Sequence, residues 1–341
     1  MSKTNRGNRP LHVYGPVPSR RLGFSLGVDI LPFKTCSLDC VYCQLGSTKR
    51  KTIRRQKYFS EQSILRQIKK AVDSGQRIDA ITFSGSGEPT LNLSIGKLIR
   101  EIKKIISIPV AVLTNSTLLT RKSVREALSP ADLIIPSLDA AAQDVFERVN
   151  RPHPSLEIRR IIEGLKIFSR DFKGKIWLEV LLVKGINDSP SHLQKLKEAI
   201  AEINPDRIQL NTVVRPPADA SSLPLDSHEL EKIKRFMGEK TEVIAAFGKI
   251  QHLPSSLDIQ EAILSLVKRR PVTLSDMSLS LGKHKNELIK YIDDLIRRDK
   301  LKYVIYQGKK YYEPGQEKKP KKQERPIVSR NRKARINPEN R

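Results

Sequence analysis

Cysteine is nearly absent from this chain. Its 341 residues hold three, and all fall within eight positions, at Cys36, Cys40 and Cys43. An odd number packed this tightly cannot form a disulfide framework, so the three make one site or none. Long apolar runs are missing too, since none approaches the roughly 20 residues that a helix needs to span a bilayer. The opening stretch, Met1 to Pro10, is basic and polar and carries no apolar segment of the secretory kind. The expected compartment is therefore the cytoplasm, with no membrane partner. Acidic residues are the third shortage: 37 Asp and Glu stand against 63 Lys and Arg, a formal charge of +26 at pH 7. Such a surplus favours polyanionic partners such as nucleic acid or a phosphorylated substrate, and the alternative is a merely solubilising surface.

What is present is otherwise ordinary: 38% hydrophobic and 29% charged residues, in a chain long enough for two or three domains. From Leu22 to Val214, short β-branched runs alternate with amphipathic stretches. The strand candidates are Leu26–Leu31, Ala80–Ser84, Val110–Thr114, Leu133–Ser137, Ile176–Val183 and Arg207–Val213. Between them, Ile64, Leu65, Ile68 and Val72 share one helical face, and Leu98, Ile99, Ile102, Ile105 and Ile106 another. Further helices are predicted over Leu156–Phe168 and Leu193–Ile203, the latter stopped by Asn204-Pro205. Six strands alternating with helices imply an α/β fold with a parallel sheet, because each parallel pairing needs a long crossover. Six units are too few for the usual eight-stranded barrel, so a partial (βα)6 parallel barrel over residues 12–250 is expected. Residues 1–11 read as a disordered basic N-terminus.

Beyond Val214 the pattern changes. Arg215-Pro216-Pro217 opens an extended loop, followed by a helix over Ser227–Met237, a short element at Glu242–Phe247 and a linker at His252–Ser256. Residues 257–313 read as a separate module. Three helical stretches, around Ile259–Val267, Leu274–Gly282 and Leu288–Ile296, precede a hairpin turning at Gln307-Gly308. This order resembles a winged helix-turn-helix, with Lys283, His284, Lys285, Asn286 and Lys290 on or near the recognition helix. Residues 314–341 are basic and lack apolar pattern, so a disordered basic tail is expected.

The cysteines carry the chemistry. Cys36-Ser-Leu-Asp-Cys40-Val-Tyr-Cys43 follows the first strand, and three thiolates on such a loop can wrap one metal centre. On a four-iron cube, three protein ligands leave one iron open for a chelating ligand. A zinc site would want a fourth ligand, and His12 and His153, the nearest histidines, lack ligand-like spacing. A redox dithiol would leave Cys36 without a role.

The C-x3-C-x2-C pattern with Tyr42 before its last cysteine resembles the radical S-adenosylmethionine superfamily. That resemblance implies a [4Fe–4S] cluster on Cys36, Cys40 and Cys43, with S-adenosylmethionine chelating the open iron. Ser86-Gly87-Glu88-Pro89, after the second strand, is similar to the family's glycine–glycine–glutamate motif that meets the methionine amino group, with Ser86 replacing the first glycine. Asn115 and the Ser137-Leu138-Asp139 segment correspond to stretches that line the cofactor, although each also fits a helix N-cap. Glu179 and Asn187 are further candidates for this pocket, Asn211 for the adenine or substrate, and Arg20, Arg21 and Arg215 for an anionic substrate.

The run from Gly15 to Val28 (GPVPSRRLGFSLGV), leading into Cys40-Val-Tyr-Cys43-Gln44, resembles an uncharacterised branch grouped with the wyosine-forming tRNA modification enzymes. Some of those carry extra cysteines for a second cluster; this chain has none. The resemblance implies an enzyme that cleaves S-adenosylmethionine reductively to a 5′-deoxyadenosyl radical. The electrons would come from an external donor of flavodoxin or ferredoxin type. The substrate readings are RNA, tRNA first; a protein or small metabolite; or, in a non-catalytic role, an iron–sulfur sensor whose winged helix binds DNA.

Overall fold

The structure is a computed structural model that describes residues 11–19, 21–245, 259–283 and 285–315. The first ten residues, Arg20, the linker at His252–Ser256, the end of the Glu242–Phe247 element, His284 and the basic tail beyond residue 315 lie outside the described residues. The chain opens with β1 (Val13–Ser19) and β2 (Gly23–Val28), then two short strands, β3 (Thr35–Cys36) and β4 (Arg50–Lys51). Helix α1 (Glu61–Val72) leads to β5 (Ala80–Phe83), and α2 (Ile95–Ile105) to β6 (Val110–Thr114). After α3 (Lys122–Leu128) come β7 (Leu133–Pro136), α4 (Gln143–Asn150), α5 (Ile158–Asp171) and β8 (Lys175–Leu182). The last units are α6 (Pro190–Ile203), β9 (Arg207–Thr212), α7 (Ser227–Met237) and β10 (Thr241–Val243).

These elements start and stop where side chains can satisfy helix ends. Ser60 caps α1 through Ser63 N, and Ser189 caps α6 ahead of Pro190. Asp226 and Glu229 close a reciprocal capping box on α7. At the far end of α6, Asn204 takes a left-handed conformation that stops the helix.

One sheet of eight strands runs in the order β1-β2-β5-β6-β7-β8-β9-β10. From β2 to β10 every pairing is parallel, and β1 alone lies antiparallel, on β2. All residues of β5 and β7 are buried, as strands covered on both faces require. The six-strand expectation is thereby corrected to eight. β1 escapes a sequence reading because Pro16 and Pro18 speak against a strand, yet an edge strand tolerates them. β10 is three residues long. The first predicted strand, Leu26–Leu31, is shifted to Gly23–Val28, because Asp29 turns the chain by accepting from Leu31 N.

The C-terminal residues form α8 (Ile259–Arg269), α9 (Leu274–Leu281), α10 (Lys285–Arg297) and a hairpin of β11 (Leu301–Tyr306) and β12 (Lys309–Pro314). They have their own apolar cluster, built on Ile263, Leu266, Met277, Leu288, Ile292, Leu295 and Tyr312. Val17 of β1 packs against that cluster. The tyrosines of the hairpin reach the other side of the sheet: Tyr306 and Tyr311 donate their hydroxyls to the carbonyls of Val213 and Val214, at 3.2 and 2.9 Å. The module is therefore clamped to both β1 and the loop after β9.

Candidate active site

In parallel α/β sheets, functional groups collect at the carboxyl ends of strands. Here the carboxyl ends of β5, β6 and β7, with Ser25 of β2 and Glu179 of β8, meet around a cavity of about 340 Å³. That volume falls at the lower end of small-molecule sites. Cys36, Gly87, Glu88, Asn115, Ser137 and Glu179 line it, together with Leu266, Arg269 and Arg270 of the C-terminal module.

The cysteine loop and the Ser86–Glu88 turn, distant in sequence, are joined backbone to backbone. Lys34 N donates to the Ser86 carbonyl at 2.7 Å, and Glu88 N donates to the Thr35 carbonyl at 3.1 Å. A Cβ at Gly87 would stand 1.8 Å from the Thr35 oxygen, so only glycine permits this approach. The Glu88 carboxylate is buried and accepts four hydrogen bonds: Thr90 N at 3.0 Å, Thr90 Oγ1 at 2.6 Å, Thr114 Oγ1 at 2.7 Å and Asn115 N at 2.7 Å. Three of the four reach Oε1 and one reaches Oε2. The carboxylate ties the turn after β5 to the end of β6, and Glu88 itself lines the cavity.

Each thiol faces one nitrogen donor. Asn115 Nδ2 lies 3.4 Å from Cys36 Sγ, Asn150 Nδ2 3.3 Å from Cys40 Sγ, and Lys34 Nζ 3.1 Å from Cys43 Sγ. Burial, and then the nearby Glu88, push the Cys36 thiol up to about 12. Burial and Asp139 raise Cys40 in the same way. Thiols of this kind stay protonated until a positive centre replaces the proton. The donor set therefore fits an iron–sulfur cluster: three thiols on one loop, each with an N–H group to hydrogen-bond the sulfur once it is charged. Among the described residues no group of three His, Cys, Asp or Glu could hold a single metal ion. Thiolates bound to separate irons of a cube need no common point, whereas a zinc site does.

The remaining candidates divide in two. Asn115, Ser137 and Glu179 border the cavity, whereas Tyr42, Ser86, Asp139 and Asn187 lie in the layer behind it. There, Tyr42 donates its hydroxyl to Asp139, which also accepts from Asn150 at 2.8 Å and from Leu181 N at 2.9 Å. Burial pushes the Asp139 carboxyl up to about 6, against those hydrogen bonds, which favour its charged form. Asn187 ties the Asp139 carbonyl to Val183 and Leu181. Glu179 accepts from Arg21 at 2.5 Å and from Asn211 at 2.8 Å.

Sequence reasoning missed Lys34, Asn150, Asp29 and Arg269. Asp29 accepts from Ser86 N at 3.2 Å, from Ser86 Oγ at 2.5 Å and from Arg269 at 2.8 Å. Arg269 also lies over the Tyr14 ring and donates to the Leu11 carbonyl. Lys34 had a local signal, two residues before Cys36; the others come together only in the fold.

Comparison with known proteins defines the class. A model of the radical SAM superfamily matches residues 30–199. The fold resembles a radical SAM methyltransferase from Sphaerobacter thermophilus, with a TM-score of 0.51 at 16% identity, covering 66% of this chain and 67% of that one. The chain is 36% identical over 312 residues to the GTPase Obg of Brachyspira hyodysenteriae, spanning 90% of this chain but only 46% of that protein. It is 32% identical over 306 residues to a UPF0026 protein of Methanocaldococcus jannaschii, covering 88% of this chain and 94% of that one. The chain belongs to the radical SAM superfamily and, within it, to the UPF0026 proteins. It is a radical SAM enzyme, and its cofactors are a [4Fe–4S] cluster and S-adenosylmethionine. No helix among the described residues is long and apolar enough to cross a membrane.

Proposed function

We propose that Cys36, Cys40 and Cys43 hold the cluster, that S-adenosylmethionine occupies the cavity against the Ser86–Glu88 turn, Asn115, Ser137 and Glu179, and that the substrate is an RNA, tRNA first. The observation that carries the cofactor assignment is the backbone docking of the cysteine loop on Gly87, which sets thiols and cavity wall in one rigid unit. When bound, the cluster and S-adenosylmethionine would supply radical chemistry at the substrate. The chain's own share is orientation and exclusion of water. Lys34, Asn115 and Asn150 hydrogen-bond the sulfurs. Glu88 ties the turn after β5 to the end of β6, and the module's Leu266 and Arg269 close one side of the cavity. Electrons come from an external flavodoxin- or ferredoxin-type donor.

Three features support RNA: the charge of +26, the resemblance of the Gly15–Val28 run to the wyosine branch, and the exposed Lys285, Asn286 and Lys290 on α10. The winged-helix reading of α8 to β12 makes α10 the nucleic-acid-facing helix. The enzyme reading is tested by anaerobic reconstitution with iron and sulfide, reduction, and chromatography for 5′-deoxyadenosine with and without cell RNA. A filled cluster that yields none in either condition removes it. The RNA reading is tested by binding of bulk tRNA to the full chain as salt rises. Affinity should fall linearly on a log–log plot with a slope of several phosphates, and a flat profile counts against it.

A further inference from the structure

Among the described residues, four arginines line the cavity: Arg21, Arg215, Arg269 and Arg270. A guanidinium does not give up its proton in a protein, and withdrawing one from water without an acceptor is costly. Three of the four have acceptors on the chain. Arg21 is ion-paired with Glu179 at 2.5 Å and Arg269 with Asp29 at 2.8 Å, while the buried Arg215 donates to Gln44 Oε1 at 3.4 Å. Arg270, half-buried at the end of α8, makes no hydrogen bond or ion pair among the described residues. Among the described lining residues, the four guanidinium groups stand with two carboxylates, those of Glu88 and Glu179, and Arg270 is the arginine without an acceptor.

We propose that Arg270, sharing the cavity with Arg215, forms a subsite for a phosphate group of the substrate. A guanidinium fork matches phosphate oxygens bidentately, and two such groups can divide them. Because Arg270 directly follows α8, the C-terminal module is part of the substrate-binding wall. The inference rests on the RNA reading for the identity of the molecule that bears the phosphate.

The test uses the full chain, loaded anaerobically with cluster and S-adenosylmethionine and titrated by calorimetry. The probes are inorganic phosphate, the dinucleotide ApA with its one phosphodiester, and the uncharged methylphosphonate analogue of ApA. Arg270→Gln should weaken inorganic phosphate about tenfold, and Arg270→Lys should recover part of the loss. ApA should bind at least about tenfold more tightly than its methylphosphonate analogue. Phosphate that fails to bind, or that binds Arg270→Gln as well as the parent, overturns the subsite. So does an Arg270→Gln variant that loses affinity for S-adenosylmethionine alone, since the arginine would then serve the cofactor's carboxylate. If phosphate binding depends on Arg270 while ApA does not bind, the subsite stands and the RNA reading falls. If ApA binds but is indifferent to Arg270, the RNA reading stands and the subsite falls.

Discussion

Glu88 and Arg270 line the same cavity, and the surrounding chain treats them differently. Glu88 is buried and receives four hydrogen bonds from Thr90, Thr114 and Asn115. Arg270 receives no acceptor among the described residues. The strand-end lining is wired into the sheet core, so it is shaped before any ligand arrives, as positioning a reactive cofactor requires. The arginine lining comes from the β1–β2 turn, the loop after β9 and the end of α8, and part of its polar capacity is left for something else. Hydrogen-bonded strand ends and arginine-bearing segments thus supply different parts of one lining.

The largest effect that bears on this contrast should come from Cys40→Ala. Removing one of three thiols should abolish the cluster's visible absorbance and all 5′-deoxyadenosine formation. A variant that still turns over would detach the strand-end lining from the chemistry. Next is Gly87→Ala, whose new methyl group would collide with the Thr35 carbonyl. Backbone offers no soft atom to move, so we expect a stability loss of about 3 kcal/mol and less than half the parent's bound iron after reconstitution. Unchanged iron content would show that the turn and the cysteine loop are not one unit.

Arg269→Gln tests the seam between the two linings. It breaks a pair whose side chains are 15% and 5% exposed, but Asp29 keeps its bonds to Ser86. A cost of about 2 kcal/mol in urea unfolding is expected, and no change would mean that the module is not seated there. A further test is a pH dependence. In the cluster-free protein the Asp139 carboxyl is raised from 3.8 to about 6, so between those values the folded chain holds a proton that the unfolded chain releases. Its contribution to stability is fully present below about pH 4 and is lost as pH rises through about 6. Asp139→Asn should flatten that part of the profile, and an unaltered slope assigns it to another group.

The parts legible in the sequence are those where neighbours in space are also neighbours along the chain. Five of the six predicted strands overlie β5 to β9, because continuous apolar runs mark strands covered on both faces. The cysteine loop was visible from its spacing. The capping box at Asp226 likewise agrees with a helix read over Ser227–Met237. What stayed hidden depends on long-range contact or on a compensated local penalty. The prolines of β1 speak against a strand until the edge position makes them harmless. Helix α4 has only eight residues, too few for a firm period, yet it delivers Asn150 to Cys40. Glu88 belongs to the segment read as meeting the ligand, and that its carboxylate also accepts four hydrogen bonds emerges only from the fold.

The ion pair between Asp29 and Arg269 spans 240 positions of the chain, so time separates its partners during synthesis. At about 5–20 residues per second, roughly 10–50 s pass between the emergence of one and of the other from the ribosome. Through that interval the cysteine loop has already been made, while the helix that walls the cavity has not. A nascent chain therefore lacks the Leu266 and Arg269 part of the cavity wall until translation reaches α8.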